Sequence, residues 1–255
     1  MKLSPIAAAV SLVFALSAHA GVTIVQTYEE IGGQKPATTN TIHIDKDRMR
    51  IDGGISPDTY MIYRGDKKTF YSVNLKDKTY LETTEKDLEE AKAKIDDAKK
   101  KMEEMMAKLP PEQRKSMQAM MDKMLPGGAN APKVVYKKIG AGGIVNGVST
   151  DMYEADQNNL KNMDLWTTPL KNMNVDQDDY QVMKDMAKFY GRFSNNMDWL
   201  DQIDKMGLPV KTISYKDGKP HFKTELKEAK KENQPAALFE IPAGLTMKKM
   251  MGKPQ

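Results

Sequence analysis

The chain has 255 residues, a formal net charge of +4 and no cysteine. The absence of cysteine excludes thiol catalysis, cysteine-ligated zinc and iron–sulfur clusters, and it means that an exported domain must rely on its core instead of disulfide bonds. The 39 basic residues are balanced by 35 acidic ones along the whole chain. This balance argues against a nucleic-acid-binding protein.

The first twenty residues have the pattern of a cleavable signal peptide. Lys2 gives a positive start, residues 6–16 form an apolar run, and Ala18-His19-Ala20 places small residues before the expected cut. The apolar run is too short to span a bilayer. We predict cleavage after Ala20, which leaves 255 − 20 = 235 residues beginning at Gly21. The predicted mature protein is periplasmic, has no transmembrane anchor and has no cysteine to carry a lipid.

Catalytic motifs are not recognisable in this sequence. After cleavage the only histidines are His43 and His221, and each lies in a β-like stretch without a helix-spaced ligand partner. Neither a G-x-S-x-G turn nor a phosphate-binding loop accompanies them. We therefore predict a protein that is not an enzyme and that needs no cofactor.

Residues 22–82 alternate between short β-branched or aromatic runs and turn residues. The runs are VTIVQTY, TNTIHID, RMRID, TYMIYR, TFYSVN and KTYLE. This spacing predicts an antiparallel meander. Tyr60, Met61, Ile62 and Tyr63 are apolar at every position, so we expect their strand to be covered on both faces.

The hydrophobic period changes to that of a helix at Thr84. Thr84 and Asp87 have the spacing of a capping box. The apolar stripe that follows consists of Leu88, Ala91, Ile95, Ala98, Met102, Met105 and Leu109. Pro110-Pro111 ends this helix, and Met117, Met120, Met121, Met124 and Leu125 form a second stripe. The sequence thus predicts a Met-rich helical hairpin over residues 84–126, inserted into a sheet.

Strands resume near residue 133, with Asn146-Gly147 and Asp217-Gly218 as hairpin turns. Between them lies a second helical segment with a shared face of Tyr180, Met183, Met186, Ala187 and Tyr190, and Ser194 is the predicted cap of a further helix. The whole pattern predicts an α+β fold in which residues 21–255 form a single domain.

Four stretches of the second half resemble an uncharacterised family of secreted bacterial domains. They are IVNGVSTDMYEA (144–155), MDLWTTP (163–169), MGLPVKTISYKDGK (206–219) and ALFEIPAGL (237–245). That family is similar in fold to the periplasmic lipoprotein carriers, the LolA-like fold. The resemblance implies a strongly curved, half-open antiparallel sheet, with helices on its concave side over an apolar cavity.

The methionines admit three interpretations. They form an apolar packing surface, or a movable lid over a hydrophobic ligand, or a soft thioether site for Cu(I). The candidate residues for the lid or cavity are Met102, Met105, Met106, Met117, Met120, Met121, Met124, Tyr60, Ile62 and Trp166. No metal site is assigned.

Three functions follow from these interpretations. The first is a non-enzymatic binding protein for a lipid, an acylated protein or an apolar peptide held in a curved-sheet cavity. The second is an interaction or envelope-stress module that docks an envelope protein through the hairpin, and the third is Cu(I) binding. The first two differ in one feature. A lid requires the stripe from Leu88 to Leu109 to face the sheet, whereas an exposed stripe favours a partner helix or self-association.

Overall fold

A computed structural model describes residues 20–53, 56–110, 112–114, 134–191, 202 and 204–248, with the side chains of Lys99 and Tyr190 left aside. The apolar run of the predicted signal peptide lies outside these residues. The same holds for the second methionine stripe of the hairpin, and for the predicted cap at Ser194. The described helices include none that is both long and apolar enough to cross a membrane.

The described strands belong to one twelve-stranded sheet. The first meander contains β1 (Gly21–Glu30), β2 (Thr38–Asp45), β3 (Arg48–Asp52), β4 (Thr59–Arg64), β5 (Thr69–Asn74) and β6 (Thr79–Thr84). The later strands are β7 (Val134–Val145), β8 (Val148–Gln157), β9 (Leu160–Thr168), β10 (Leu208–Lys216), β11 (Lys219–Glu232) and β12 (Thr246–Lys248). The antiparallel meander predicted over residues 22–82 is confirmed.

The two meanders join in the middle of the sheet, where β1 pairs with β11. The strand order is β12-β6-β5-β4-β3-β2-β1-β11-β10-β9-β8-β7, so β12 and β7 are the edges. The sheet is curved and does not close on itself. One pairing departs from the predicted antiparallel pattern, because β12 runs parallel to β6. The chain returns to that edge over one face of the sheet, and this return fixes the direction of β12.

The predicted hairpin turns are present. Asn146 and Gly147 have φ angles of 47° and 80°, and Asp217 and Gly218 have 52° and 73°. Two successive positive φ angles are those of the tight turn that matches the twist of paired strands, and asparagine, aspartate and glycine tolerate them best. These residues therefore set the β7–β8 and β10–β11 registers.

The α-helices whose bounds the structure gives are α1 (Glu85–Ala107) and α2 (Gln177–Gly191). The capping box at the start of α1 is confirmed: the backbone N–H of Asp87 donates to Thr84 Oγ1 at 3.2 Å, and the backbone N–H of Thr84 donates to Asp87 Oδ2 at 2.9 Å. Helix α1 ends before Pro110-Pro111, as predicted. It is the first arm of the predicted hairpin.

The main core lies between α2 and one face of the sheet. A cross-strand row of Val22, Ile44, Met49, Tyr63 and Phe70 faces this core. Helix α2 contributes Tyr180, Val182 and Phe189, each 5% exposed or less. Met183 and Met186 pack at the margin, as their predicted stripe requires, but Val182 and Phe189 were not in that stripe. The buried arc of α2 is thus wider than predicted.

A salt-bridge cluster fixes the first turn of α2 to β11. Lys231 Nζ lies 2.9 Å from Asp179 Oδ2 and also contacts Asp176. Desolvation lowers the pKa of Lys231, but the hydrogen bonds to the two carboxylates outweigh it and the pKa is raised overall. Asp179 is itself fully buried and accepts from the backbone N–H of Asp176. The helix is therefore attached to the sheet by charge as well as by apolar contacts.

A second, smaller core lies on the opposite face of β4. Tyr60, Ile62 and Val73 are covered by Phe239, which belongs to the segment of residues 233–245 between β11 and β12. We call this segment the C-terminal strap. Tyr60 and Ile62 point to the strap, whereas Tyr63 points to α2. The strand is therefore covered on both faces at Tyr60, Ile62 and Tyr63, as predicted, but Met61, on the same face as Tyr63, is 37% exposed.

Candidate functional site

Helix α1 leaves the sheet after its first turn. Leu88 is 2% exposed and belongs to the main core, and α1 contacts the sheet mainly at β6. Beyond that turn the predicted stripe is not packed against the sheet: Ile95 is 39% exposed, Met105 is 55% exposed and Ala98 is also exposed. We call Ala91, Ile95, Ala98, Met102 and Met105 the α1 stripe. Ala91 and Met102 are half-buried.

The α1 stripe is bordered by lysines and faces away from the acids of the helix. Lys92, Lys94 and Lys101 are exposed residues adjacent to it. The acids Glu89, Glu90, Asp96, Asp97, Glu103 and Glu104 occupy the opposite side of the helical repeat. Asp97 and Lys101, four residues apart on α1, form an ion pair at 2.7 Å, and this hydrogen bond raises the pKa of Lys101. Surface pairs of this kind contribute little energy, but they support the helix.

The structure separates the residues predicted to line one ligand site. Met105 is exposed, Met102 is half-buried and Met106 is 5% exposed, all on α1. Met117, Met120, Met121 and Met124 lie outside the described residues. Tyr60 and Ile62 are buried beneath the C-terminal strap.

Trp166 lies apart from both of these groups. It is half-buried at the margin of the main core, and Lys211 Nζ is 4.4 Å from its ring centroid. The described members of the predicted site therefore occupy three separate environments. Their role as ligand-binding residues stays a prediction. Cu(I) binding also stays a prediction.

Three arginines hold the C-terminal strap on the sheet, and the sequence analysis did not identify them. Arg50 Nη1 donates to the Leu238 carbonyl at 3.1 Å, and its guanidinium lies 3.7 Å from the centroid of the Tyr60 ring. Arg48 lies over the Phe239 ring at 4.9 Å. Burial raises the pKa of the Tyr60 hydroxyl, in keeping with its place under the strap.

Arg64 is the third of these arginines. It donates to Asp66 and to Glu240 of the strap, and the hydrogen bond to Asp66 is the main cause that raises its pKa. The alternation R-M-R in β3, with a further arginine at the end of β4, was the available signal. Its meaning depends on the strap, which is distant in sequence.

Two of the cavities in the described part of the chain differ in the character of their lining. The larger, about 550 Å³, lies between α2, the β2–β3 turn and the start of α1. Its charged lining residues are Lys46, Lys68, Lys188, Asp47, Glu85, Asp178 and Asp185. Because both signs are present, this cavity does not favour an anion or a cation.

The smaller cavity, about 290 Å³, lies over β7 to β10 and is mostly apolar. Tyr136, Met163, Leu165, Met206 and Pro209 are among its lining residues. Within the described ranges, no group of three or more histidine, aspartate or glutamate side chains is arranged to hold a metal ion.

The second half of the chain, from the end of α1 to the strap, matches one known family. Its sequence model covers residues 105–245. The chain belongs to the family described as a domain of unknown function, DUF4412. The resemblance to an uncharacterised family is thereby confirmed. Most of the α1 stripe, from Ala91 to Met102, precedes the matched range.

Solved structures of low sequence identity align with most of this chain. An uncharacterized conserved protein from Thermus thermophilus is 8% identical, with a TM-score of 0.47 over 91% of both chains. A chain of the Pseudomonas aeruginosa MucA/MucB complex is 9% identical, with a TM-score of 0.39 over 89% of this chain and 58% of that one. PNGF-II has 9% identity, a TM-score of 0.37 and coverage of 91% and 32%. Among curated proteins, none matches the sequence.

Proposed function

We propose that this protein is a non-enzymatic interaction module that docks a partner through the α1 stripe. The observation that supports the proposal is the exposure of Ile95 and Met105 on a helix whose first turn is anchored in the core. A lid would need the same stripe to pack on the sheet, and the described part of α1 does not. The predicted export signal would place the partner in the cell envelope.

Burial of the stripe supplies the energy of docking. Full burial of an isoleucine or methionine side chain stabilises an association by about 1.5–3 kcal/mol, and less where the residue is already half-buried. The ordering cost is small, because the capping box and the core contact of Leu88 hold α1 helical before the partner arrives. Helices with an apolar face commonly bind a complementary helix or groove.

The test uses a designed amphipathic peptide with a leucine stripe and glutamine at the flanking positions. Its binding to the mature protein is measured by fluorescence anisotropy. We expect saturable binding that Ile95→Asp abolishes, because the new carboxylate would be desolvated at the interface. The matched control is Leu160→Asp, at a β9 residue that is 72% exposed. Equal loss in both variants, or no binding by the wild type, would contradict the proposal.

A second candidate function is the binding of a hydrophobic ligand, favoured by the apolar cavity over β7 to β10. Its 290 Å³ is at the lower end of the volumes that hold small ligands. Native mass spectrometry of the mature protein, purified without detergent, tests this function. Adducts of lipid mass that disappear in Thr212→Trp, which fills the cavity, are the expected result. A bare wild-type mass would contradict ligand binding there.

A further inference from the structure

Beyond the first turn of α1, the charged residues that border the α1 stripe are lysines. With the stripe at the a and d positions of a heptad, Lys92 lies at an e position and Lys94 and Lys101 lie at g positions, so the described lysines border both sides of the stripe. Each of them is exposed. Beyond the first turn, the acids of α1 lie at the b and c positions, outside those flanks, and Asp97 is the ion-pair partner of Lys101.

Flanking positions decide which helix can pair with an apolar stripe, because they meet the flanking positions of the partner. In a pair formed by two copies of α1, lysine would face lysine in both the parallel and the antiparallel arrangement. Such like-charge contacts oppose association. Self-pairing through this stripe is therefore disfavoured, although its apolar residues alone would permit it.

We infer that the partner of the α1 stripe is an amphipathic helix whose own apolar stripe is bordered by aspartate or glutamate. This inference rests on the proposed function and adds the chemistry of the occupant. Opposite charges at the flanks attract over several ångströms, fix the register of the two helices and accelerate their encounter. The lysines thus select for acidic flanks, while Ile95, Met102 and Met105 provide the buried contact.

An anionic lipid surface also attracts lysine-bordered helices, but the apolar face of α1 is unsuited to insertion into lipid. Interfacial helices insert a broad face that is rich in Trp, Phe or Leu. The α1 stripe is narrow, contains two alanines and no aromatic residue, and the same helix carries acids along its length. A narrow stripe of this kind is the seam of a helix–helix contact.

The experiment compares three peptides that share one leucine stripe and differ only at the flanks, which are glutamate, glutamine or lysine. Each is titrated with the full mature protein by fluorescence anisotropy at low ionic strength and again in about 0.5 M salt, which screens exposed charges. We expect the glutamate peptide to bind roughly tenfold more tightly than the glutamine peptide, with the difference lost in salt. The lysine peptide should bind most weakly.

A pair of matched variants assigns the preference to the border of the stripe. Lys92→Glu with Lys101→Glu should remove the preference for the glutamate peptide over the lysine peptide, because the substituted border carries charges of both signs. Lys86→Glu with Lys100→Glu makes the same change in net charge at exposed positions away from the stripe, and should leave the order unchanged. Circular dichroism of both variants verifies that the helix content is retained.

The outcomes separate this inference from the proposed function. Equal affinity for all three peptides would overturn the inference and leave docking through the stripe intact. No binding of any peptide would overturn both. Binding to phosphatidylglycerol vesicles in preference to the glutamate peptide, or dimerisation of the wild type that Ile95→Asp prevents, would also overturn the inference.

Discussion

Helices α1 and α2 have similar apolar periodicity but opposite relations to the sheet. Helix α2 buries Tyr180, Val182 and Phe189 in the main core, and Lys231 attaches its first turn to β11. Helix α1 buries Leu88 and then exposes Ile95 and Met105. Both helices are amphipathic, so the apolar periodicity of a helix does not by itself predict what its apolar face contacts.

Residue size and flanking charge distinguish the two helices. The buried face of α2 includes a tyrosine and a phenylalanine, which offer large areas to a core. The α1 stripe has alanine at two positions and lysine on both borders. Small residues bury less apolar area, so the α1 stripe gains less from packing on the sheet than the aromatic face of α2 does. The lysine flanks are hydrated where they are, in water.

The largest expected effect on stability distinguishes a residue that α2 buries in the main core from an exposed residue of α1. Phe189→Ala should lower the free energy of unfolding by about 3–5 kcal/mol, because it leaves a cavity in the main core. Ile95→Ala should lower it by less than about 1 kcal/mol, since that side chain is already exposed. Urea unfolding followed by circular dichroism measures both. Similar losses in the two variants would contradict the contrast.

The next effect locates the point at which α1 leaves the core. Leu88→Ala should cost about 2–5 kcal/mol, in contrast to Ile95→Ala two turns later on the same helix. Chemical denaturation of the two variants in parallel provides the measurement. A cost below about 1 kcal/mol for Leu88→Ala would mean that α1 is not anchored in its first turn.

The helix cap gives an effect of intermediate size. Thr84→Ala removes the side-chain acceptor of the Asp87 N–H and should destabilise the protein by about 1 kcal/mol. Hydrogen exchange should quicken in the first turns of α1 but not in α2. Thr84→Ser, which keeps the hydroxyl, is the control, and equal exchange in Thr84→Ala and Thr84→Ser would exclude a capping role.

The smallest expected effect on stability concerns Arg64, which contacts the C-terminal strap. The strap covers the face of the sheet opposite α2. The hydrogen bond from Arg64 holds the pKa of Asp66 below its usual value. The stability that this pair contributes is therefore complete above the unfolded-state pKa of about 3.9, and is lost as pH falls through the lower folded-state pKa. Asp66→Asn should flatten the acid limb of the stability profile slightly, by well under 1 kcal/mol after screening. An unchanged profile would show that the Arg64–Asp66 pair does not contribute to stability.

Local sequence signals predicted the parts of the fold that depend on neighbouring residues. Asn146-Gly147 and Asp217-Gly218 fixed their hairpins through φ preference, and the Thr84–Asp87 spacing placed the start of α1. The apolar run of Tyr60 to Tyr63 indicated a strand covered on both faces, which holds for Tyr60, Ile62 and Tyr63 but not for Met61. Each of these signals acts over a few residues.

The strap and the orientation of α1 depend on contacts between distant residues. Arg64 meets Glu240 across 176 positions of sequence, and no local pattern in β4 identifies that partner. The exposure of Ile95 likewise depends on where the sheet ends, not on the stripe itself. The lysine border was visible in the sequence, but it became informative only once the stripe was found exposed.

The central claim is that the α1 stripe is an exposed docking face, and methionine oxidation tests it most directly. Limited treatment with hydrogen peroxide, followed by mass spectrometry, compares Met105, which is 55% exposed, with Met49, which is 2% exposed, and with Met247, which is 49% exposed and lies outside the stripe on β12. We predict rapid oxidation of Met105 and Met247, slow oxidation of Met49, and protection of Met105 alone by the glutamate-flanked peptide. Slow oxidation of Met105 without peptide, or no protection with it, would contradict the account.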